Sequence, residues 1–165
     1  MSDPIDRSKW QSGPWDSEPD REEWHEGEVR CLLTRNYDHG AWHGYAIVQP
    51  SHPWAFLHWY ALPTFVAEWG TVTPDGSTWF GFDCAHHGQG TPRSPYDAPY
   101  VTVGQARADL MELVGALSKS PPKEAKDVTI ARLRRELSYF TGGGQWTTWQ
   151  RDVLTRWLGL LGVST

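Results

Sequence analysis

Phe65-Val66-Ala67-Glu68-Trp69-Gly70-Thr71-Val72-Thr73 and Thr78-Trp79-Phe80-Gly81-Phe82-Asp83-Cys84 flank the tetrapeptide Pro74-Asp75-Gly76-Ser77. Proline presets one turn angle and glycine accepts positive φ, so this stretch reads as a β-hairpin and places an antiparallel sheet at the centre of the chain. The second strand then runs directly into Ala85-His86-His87, which puts a carboxylate, a thiol and two imidazoles at a strand end. Six of the seven histidines lie between positions 39 and 87, so the same half holds most of the titratable chemistry.

Two further strands are expected upstream, over Val29–Thr34 and Gly44–Gln49, joined by a polar loop with Asn36, Asp38 and Gly40. Prolines 50, 53 and 63 make His52–Tyr60 a poor central strand, and it reads as a loop or a single helical turn. Residues His87–Pro99 are rich in Gly and Pro and read as a loop.

From Thr102 the apolar period changes to three and four: Val103, Ala106, Leu110, Leu113, Val114 and Leu117 follow a Thr102-x-x-Gln105 capping box. Ser120-Pro121-Pro122 closes that helix, and Ile130, Leu133, Leu137 and Phe140 mark a second. Gly142-Gly143-Gly144 separates it from a third, expected to open at Thr147-x-x-Gln150 and to carry Val153, Leu154, Trp157, Leu158 and Leu161. The expected class is α+β: a small antiparallel sheet of about four strands packed with the following helix, plus a C-terminal αα-hairpin. Apolar surface on the last helix, with Trp149, Trp157 and Leu160, suits packing on the sheet or on a second subunit as a homodimer.

The chain has 165 residues and a net charge of -5. Nine acidic against three basic residues fall within Met1–Glu28, so the remainder is close to neutral. Three regions follow: a flexible acidic arm over 1–22 that contains Trp10 and Trp15, an α+β core over 23–119, and a helix pair over 120–165. Trp10, Trp15 and Trp24 are unusual for a disordered arm, and at least one is expected to dock. A near-neutral folded part without a broad basic face argues against duplex nucleic acid as partner. The six basic residues of Lys119–Arg135 read as a solvated helix face. With no apolar run long enough to span a bilayer, a membrane partner is not expected and cytoplasm is the default compartment. Cys31 and Cys84 read as unpaired buried thiols, with a disulfide between them as the alternative.

Aromatic planes beside polar and cationic groups are what nucleotide capture requires. Tyr45, Trp69 and Trp79 are the candidate walls, His52, Asp83, His86 and His87 the orienting groups, and Arg93, with Arg35 as an alternative, the phosphate contact. If the chain is an enzyme, His86 or His87 is the acid or base, oriented by Asp83, in a phosphodiesterase or other nucleotide hydrolase. No cofactor is expected. A zinc site from His39, His43, Cys84 and His86 or His87 is the alternative, although its spacing matches no recognised zinc pattern.

Gly44-Tyr45-Ala46-Ile47-Val48, then His52-Pro53, then Trp79-Phe80-Gly81-Phe82-Asp83-Cys84-Ala85-His86 resemble a family of small bacteriophage proteins with G-Y-V, G-H-P, H-G-G-L-T and W-x-G-F-D-x-A-H motifs. The resemblance covers about residues 29–118. It departs at Glu68-Trp69-Gly70-Thr71-Val72, where the family shows H-G-G-L-T, and at Ser51, which replaces a glycine. It implies expression in the cytoplasm of an infected bacterial host and a counter-defence role. The reading is a protein that sequesters a small nucleotide-derived, immune-signal-like molecule. The alternatives are a hydrolase of the same class of molecule, or an inhibitor that covers a host defence protein with its tryptophan-rich surface.

Overall fold

The computed structural model describes residues 5–94, 98–139 and 145–163. Among these, strands β1 (Arg21–Glu26), β2 (Val29–Arg35), β3 (Trp42–Val48), β4 (Trp69–Val72) and β5 (Thr78–Asp83) form one antiparallel sheet in the order β1-β2-β3-β5-β4. Helices α1 (Val103–Leu117), α2 (Ala125–Tyr139) and α3 (Gln145–Leu160) follow, which makes the chain an α+β protein. No helix of the described residues is long and apolar enough to cross a membrane.

Alternation along each strand divides the sheet into two unlike faces. Cys31 and Leu33 of β2, Trp42, Ala46 and Val48 of β3, and Phe80 and Phe82 of β5 share one face and pack with Ala106, Leu110, Leu113 and Leu117 of α1 in a single core. Close approach explains Gly44: a Cβ there would sit 2.2 Å from the Phe82 ring, which lies across the glycine. The opposite face carries His43 and Tyr45 of β3, Trp79, Gly81 and Asp83 of β5, and Trp69 of β4. Its aromatic and charged side chains are half-buried.

The β3–β4 connection crosses the covered face, because β5 occupies the place beside β3. Trp54, Leu57, Leu62 and Ala67 of this segment enter the core, and a short 3-10 turn forms at Trp59–Ala61. Trp54 Nε1 donates to Lys119 O at 2.6 Å and His58 N to Thr129 Oγ1 at 2.9 Å, so the crossover is tied to the end of α1 and to α2. The hairpin turn forms as its residues dictate: Gly76 has φ 88°, Thr73 N donates to Ser77 O, and Asp75 Oδ1 accepts from Ser77 N. β4 is shorter than the expected Phe65–Thr73 run, and Phe65 is fully exposed.

The capping box at α1 is present, with Thr102 Oγ1 accepting from Gln105 N and Gln105 Oε1 from Thr102 N. Leu133 of α2 and Leu154, Leu158 and Leu161 of the α3 region are buried in the same core. α3 begins at Gln145, so the expected start at Thr147 falls inside the helix rather than at its cap. Phe140 and the Gly142–Gly144 joint lie outside the described residues, as do the side chains of Thr147, Trp149, Gln150 and Val153.

Two features of the first part of the chain add to the expected α+β fold. The sheet has a fifth strand, β1, which pairs with β2 from Arg21↔Thr34 to Glu26↔Val29 around Gly27 at φ 58°. Its sequence, Arg-Glu-Glu-Trp-His-Glu, lacks apolar alternation because an edge strand satisfies its side chains differently. Glu23 binds Arg21 and Arg30 on one face, while Trp24 on the other lies under the Arg107 guanidinium. Within the segment expected as a flexible arm, several side chains make contacts. Arg7 bonds Asp20 and the carbonyls of Trp15 and Glu18, and Trp15 is buried edge-on against Tyr100. Arg35, the alternative phosphate contact, is enclosed beneath this arm.

Cys31 and Cys84 are both free and buried, and β3 lies between their strands. Burial pushes the Cys31 thiol up to about 11 and the Cys84 thiol up to about 12.

Candidate functional site

Gly81 is the centre of the open face. Tyr45 and Trp69 stand opposite it on the two neighbouring strands. A Cβ at Gly81 would fall 2.2 Å from the Trp69 ring, so this position lets the indole lie down across β5. Trp69 thereby meets Tyr45 edge-to-face at a centroid distance of 5.1 Å, and Tyr45 meets Trp79 at 5.6 Å. The three expected walls do come together, as a platform on an open sheet face.

Beside the platform, at the end of β5, is a polar cluster. Glu68, Asp83 and His86 each offer one donor atom within 4.8 Å of the others. His86 Nε2 lies 2.5 Å from Glu68 Oε1, and Glu68 Oε2 accepts from Asp83 N at 3.2 Å. The backbone holds both acids: Glu68 N donates to Gly81 O, extending the β4–β5 ladder by one residue, and Asp83 Oδ1 accepts from Ala85 N at 2.8 Å in the turn that follows β5. His86 N donates to Gln89 Oε1 at 3.0 Å.

His43 is the register partner of Asp83 and extends the cluster across β3. Its Nδ1 is 3.2 Å from the Tyr45 hydroxyl and its Nε2 3.4 Å from Asn36 Nδ2, so the imidazole next to Asp83 in register also touches the platform. Burial lowers the His43 pKa, against the opposing charge of Asp83. The Tyr45 pKa is raised by burial first and by Asp83 second.

Other expected site residues lie elsewhere. His52 follows the far end of β3, where Val48 pairs with Thr78, while Asp83 sits at the opposite end of the sheet. There His52 borders a hollow with Glu26, Val29 and Lys119, and its Nδ1 accepts from Trp54 N. Arg93 is at the cluster's end of the sheet, but its Nη1 donates to Asp38 O and its backbone N to His39 O. His87 is exposed in the loop after His86, and the carboxylate that meets a histidine here is Glu68 with His86 rather than Asp83 with His87. The weighed zinc set does not assemble: Cys84 is buried in the core, and His39 Nδ1 accepts from Ala41 N.

Sequence reasoning did not select Glu68 for this cluster, and named His43 only within the zinc alternative. Glu68 was visible only as a departure, at the position where the H-G-G-L-T pattern has histidine. Its place one residue before a strand paired with Thr78–Gly81 was the signal that would have found it. Searches against protein-family models, curated proteins and solved structures give no match to this chain.

Proposed function

We propose that the open face binds a small nucleotide-derived molecule and that the protein acts by sequestering it. The observation that carries this reading is the Tyr45–Trp69–Trp79 platform laid over Gly81, directly beside Glu68, Asp83 and His86. A base stacks on half-exposed aromatic rings, and carboxylate and imidazole groups accept from its amino edge or from ribose hydroxyls. The likeness of Trp79–His86 to small bacteriophage proteins supports the cytoplasm of an infected bacterium as the setting, and an immune signal as the captured molecule.

The test incubates the protein with a panel of cyclic nucleotides and ADP-ribose derivatives, records the thermal shift, then heat-denatures it and analyses the supernatant by mass spectrometry. A raised Tm with intact ligand released, both lost in folded Trp69→Ala and Trp79→Ala, is the expected result. Products in place of the ligand would make the protein a hydrolase with His86 at its centre. A panel without any shift would overturn the reading.

A further inference from the structure

We infer that Glu68, Asp83 and His86 hold a divalent transition-metal ion. Carboxylate oxygen and imidazole nitrogen bind such ions at about 2.0–2.2 Å, so two donors on one ion stand roughly 3–4 Å apart. The three donor atoms already lie within 4.8 Å of one another, a gap that small side-chain rotations close. The His86 side chain is 52 % exposed and that of Glu68 31 %, which leaves room for those rotations and for an ion to enter.

Donor type narrows the choice of ion. One imidazole with two carboxylates suits manganese, iron, cobalt or zinc, whereas calcium and magnesium favour oxygen alone. The partner that Glu68 meets is the imidazole of His86, itself a donor to the ion, rather than a lysine or arginine. The donors also come from a prepared frame. Glu68 precedes β4 and Asp83 ends β5, and backbone hydrogen bonds set their spacing before any ion arrives. His43, the register partner of Asp83 and in contact with Tyr45 and Asn36, adds a polar wall to the site.

Three protein donors leave open positions on the ion for water or for an oxygen of a bound molecule. In this respect the inference deepens the proposed function and rests on it. Two carboxylates repel phosphate and Arg93 is held by Asp38 O, so a nucleotide on the platform needs a cation here, and the ion supplies it.

The experiment uses the untagged full chain, stripped with a chelator and titrated calorimetrically with Mn2+ and with Zn2+ alone, with metal content checked by mass spectrometry. The expected result is one ion per chain, weakened at least about tenfold in Glu68→Gln and in His86→Ala. His87→Ala, which removes the exposed neighbouring imidazole and no donor of the cluster, keeps wild-type metal affinity. Binding that persists unchanged in His86→Ala, or a wild-type chain that takes up neither ion, overturns the inference. Circular dichroism on each variant separates lost donors from lost folding, and Glu68→Asp, which keeps a carboxylate, retains more affinity than Glu68→Gln. Metal binding without any nucleotide binding would overturn only the proposed function. Nucleotide binding that survives chelation would overturn only the link between the two.

Discussion

Glu18 and Arg35 form a buried ion pair, 2.7 Å long, with the arginine side chain 0 % exposed and the glutamate 10 %. The same Glu18 carboxylate accepts from the Tyr100 hydroxyl at 2.5 Å and from Val103 N, the first amide of α1, at 2.9 Å. An anion at a helix N-terminus satisfies an orphan donor and meets the positive end of the helix dipole. One side chain from the supposed arm therefore joins β2, the loop before α1 and α1 itself.

Removing that carboxylate leaves the buried guanidinium with only the more distant Asp20, 3.7 Å from its Nε, as counter-charge. Glu18→Ala is expected to lower stability by about 3–5 kcal/mol, and Glu18→Ala with Arg35→Met to recover part of the loss because the stranded charge is gone. Urea unfolding followed by far-UV circular dichroism reads both. A Glu18→Ala chain as stable as wild type would show that the pair is not formed.

Gly81→Ala drives a methyl group into the Trp69 indole. Stability should fall by about 1–3 kcal/mol, the range for overpacking. The Trp69 indole N–H resonance should move in a 1H–15N spectrum while those of Trp42 and Trp54, on the other face, stay in place. An unmoved Trp69 signal would mean that the ring does not lie over position 81.

His43 makes stability depend on pH in a defined direction. Its folded pKa lies below the ordinary 6.5 because burial disfavours the imidazolium. The unfolded chain thus binds more protons in the window just below 6.5, so this contribution is whole above that value and is lost as pH falls through the window. Denaturation midpoints measured between pH 7.5 and 5 should decline, and less so in His43→Gln. Equal slopes in the two proteins would exclude His43 as the source.

Cys31 and Cys84 should resist a thiol reagent such as dithionitrobenzoate in the native protein and react as two thiols after unfolding, because burial holds both as neutral thiols. Fast native-state labelling of either would contradict their place in the core.

The legible parts of the sequence were those governed by local rules. The Pro74–Ser77 turn, the Thr102 capping box and the apolar period of α1 each rest on a few adjacent residues, and each is present in the structure. Tyr45, Trp69 and Trp79 were also recoverable, since strand alternation sends them to one face. β1 was not, because pairing with β2 rather than its own pattern makes it a strand. The Glu68–His86 contact joins two strands across a hairpin, so neither residue's neighbours announce it. His52 was misplaced because its nearness in sequence to Tyr45 hides a strand's length that carries it to the other end of the sheet.

The bond from Val103 N to Glu18 closes a loop of 85 positions. The β1–β2 and β4–β5 hairpins need only short closures, so they can form early, whereas this contact waits until both the sheet and α1 exist. During synthesis the segment around Glu18 leaves the ribosome long before its partner amide has been made. The segment around Glu18, translated before α1, is thus among the last to find its place, and until it docks Arg35, Trp42 and Tyr100 lack the carboxylate that joins them.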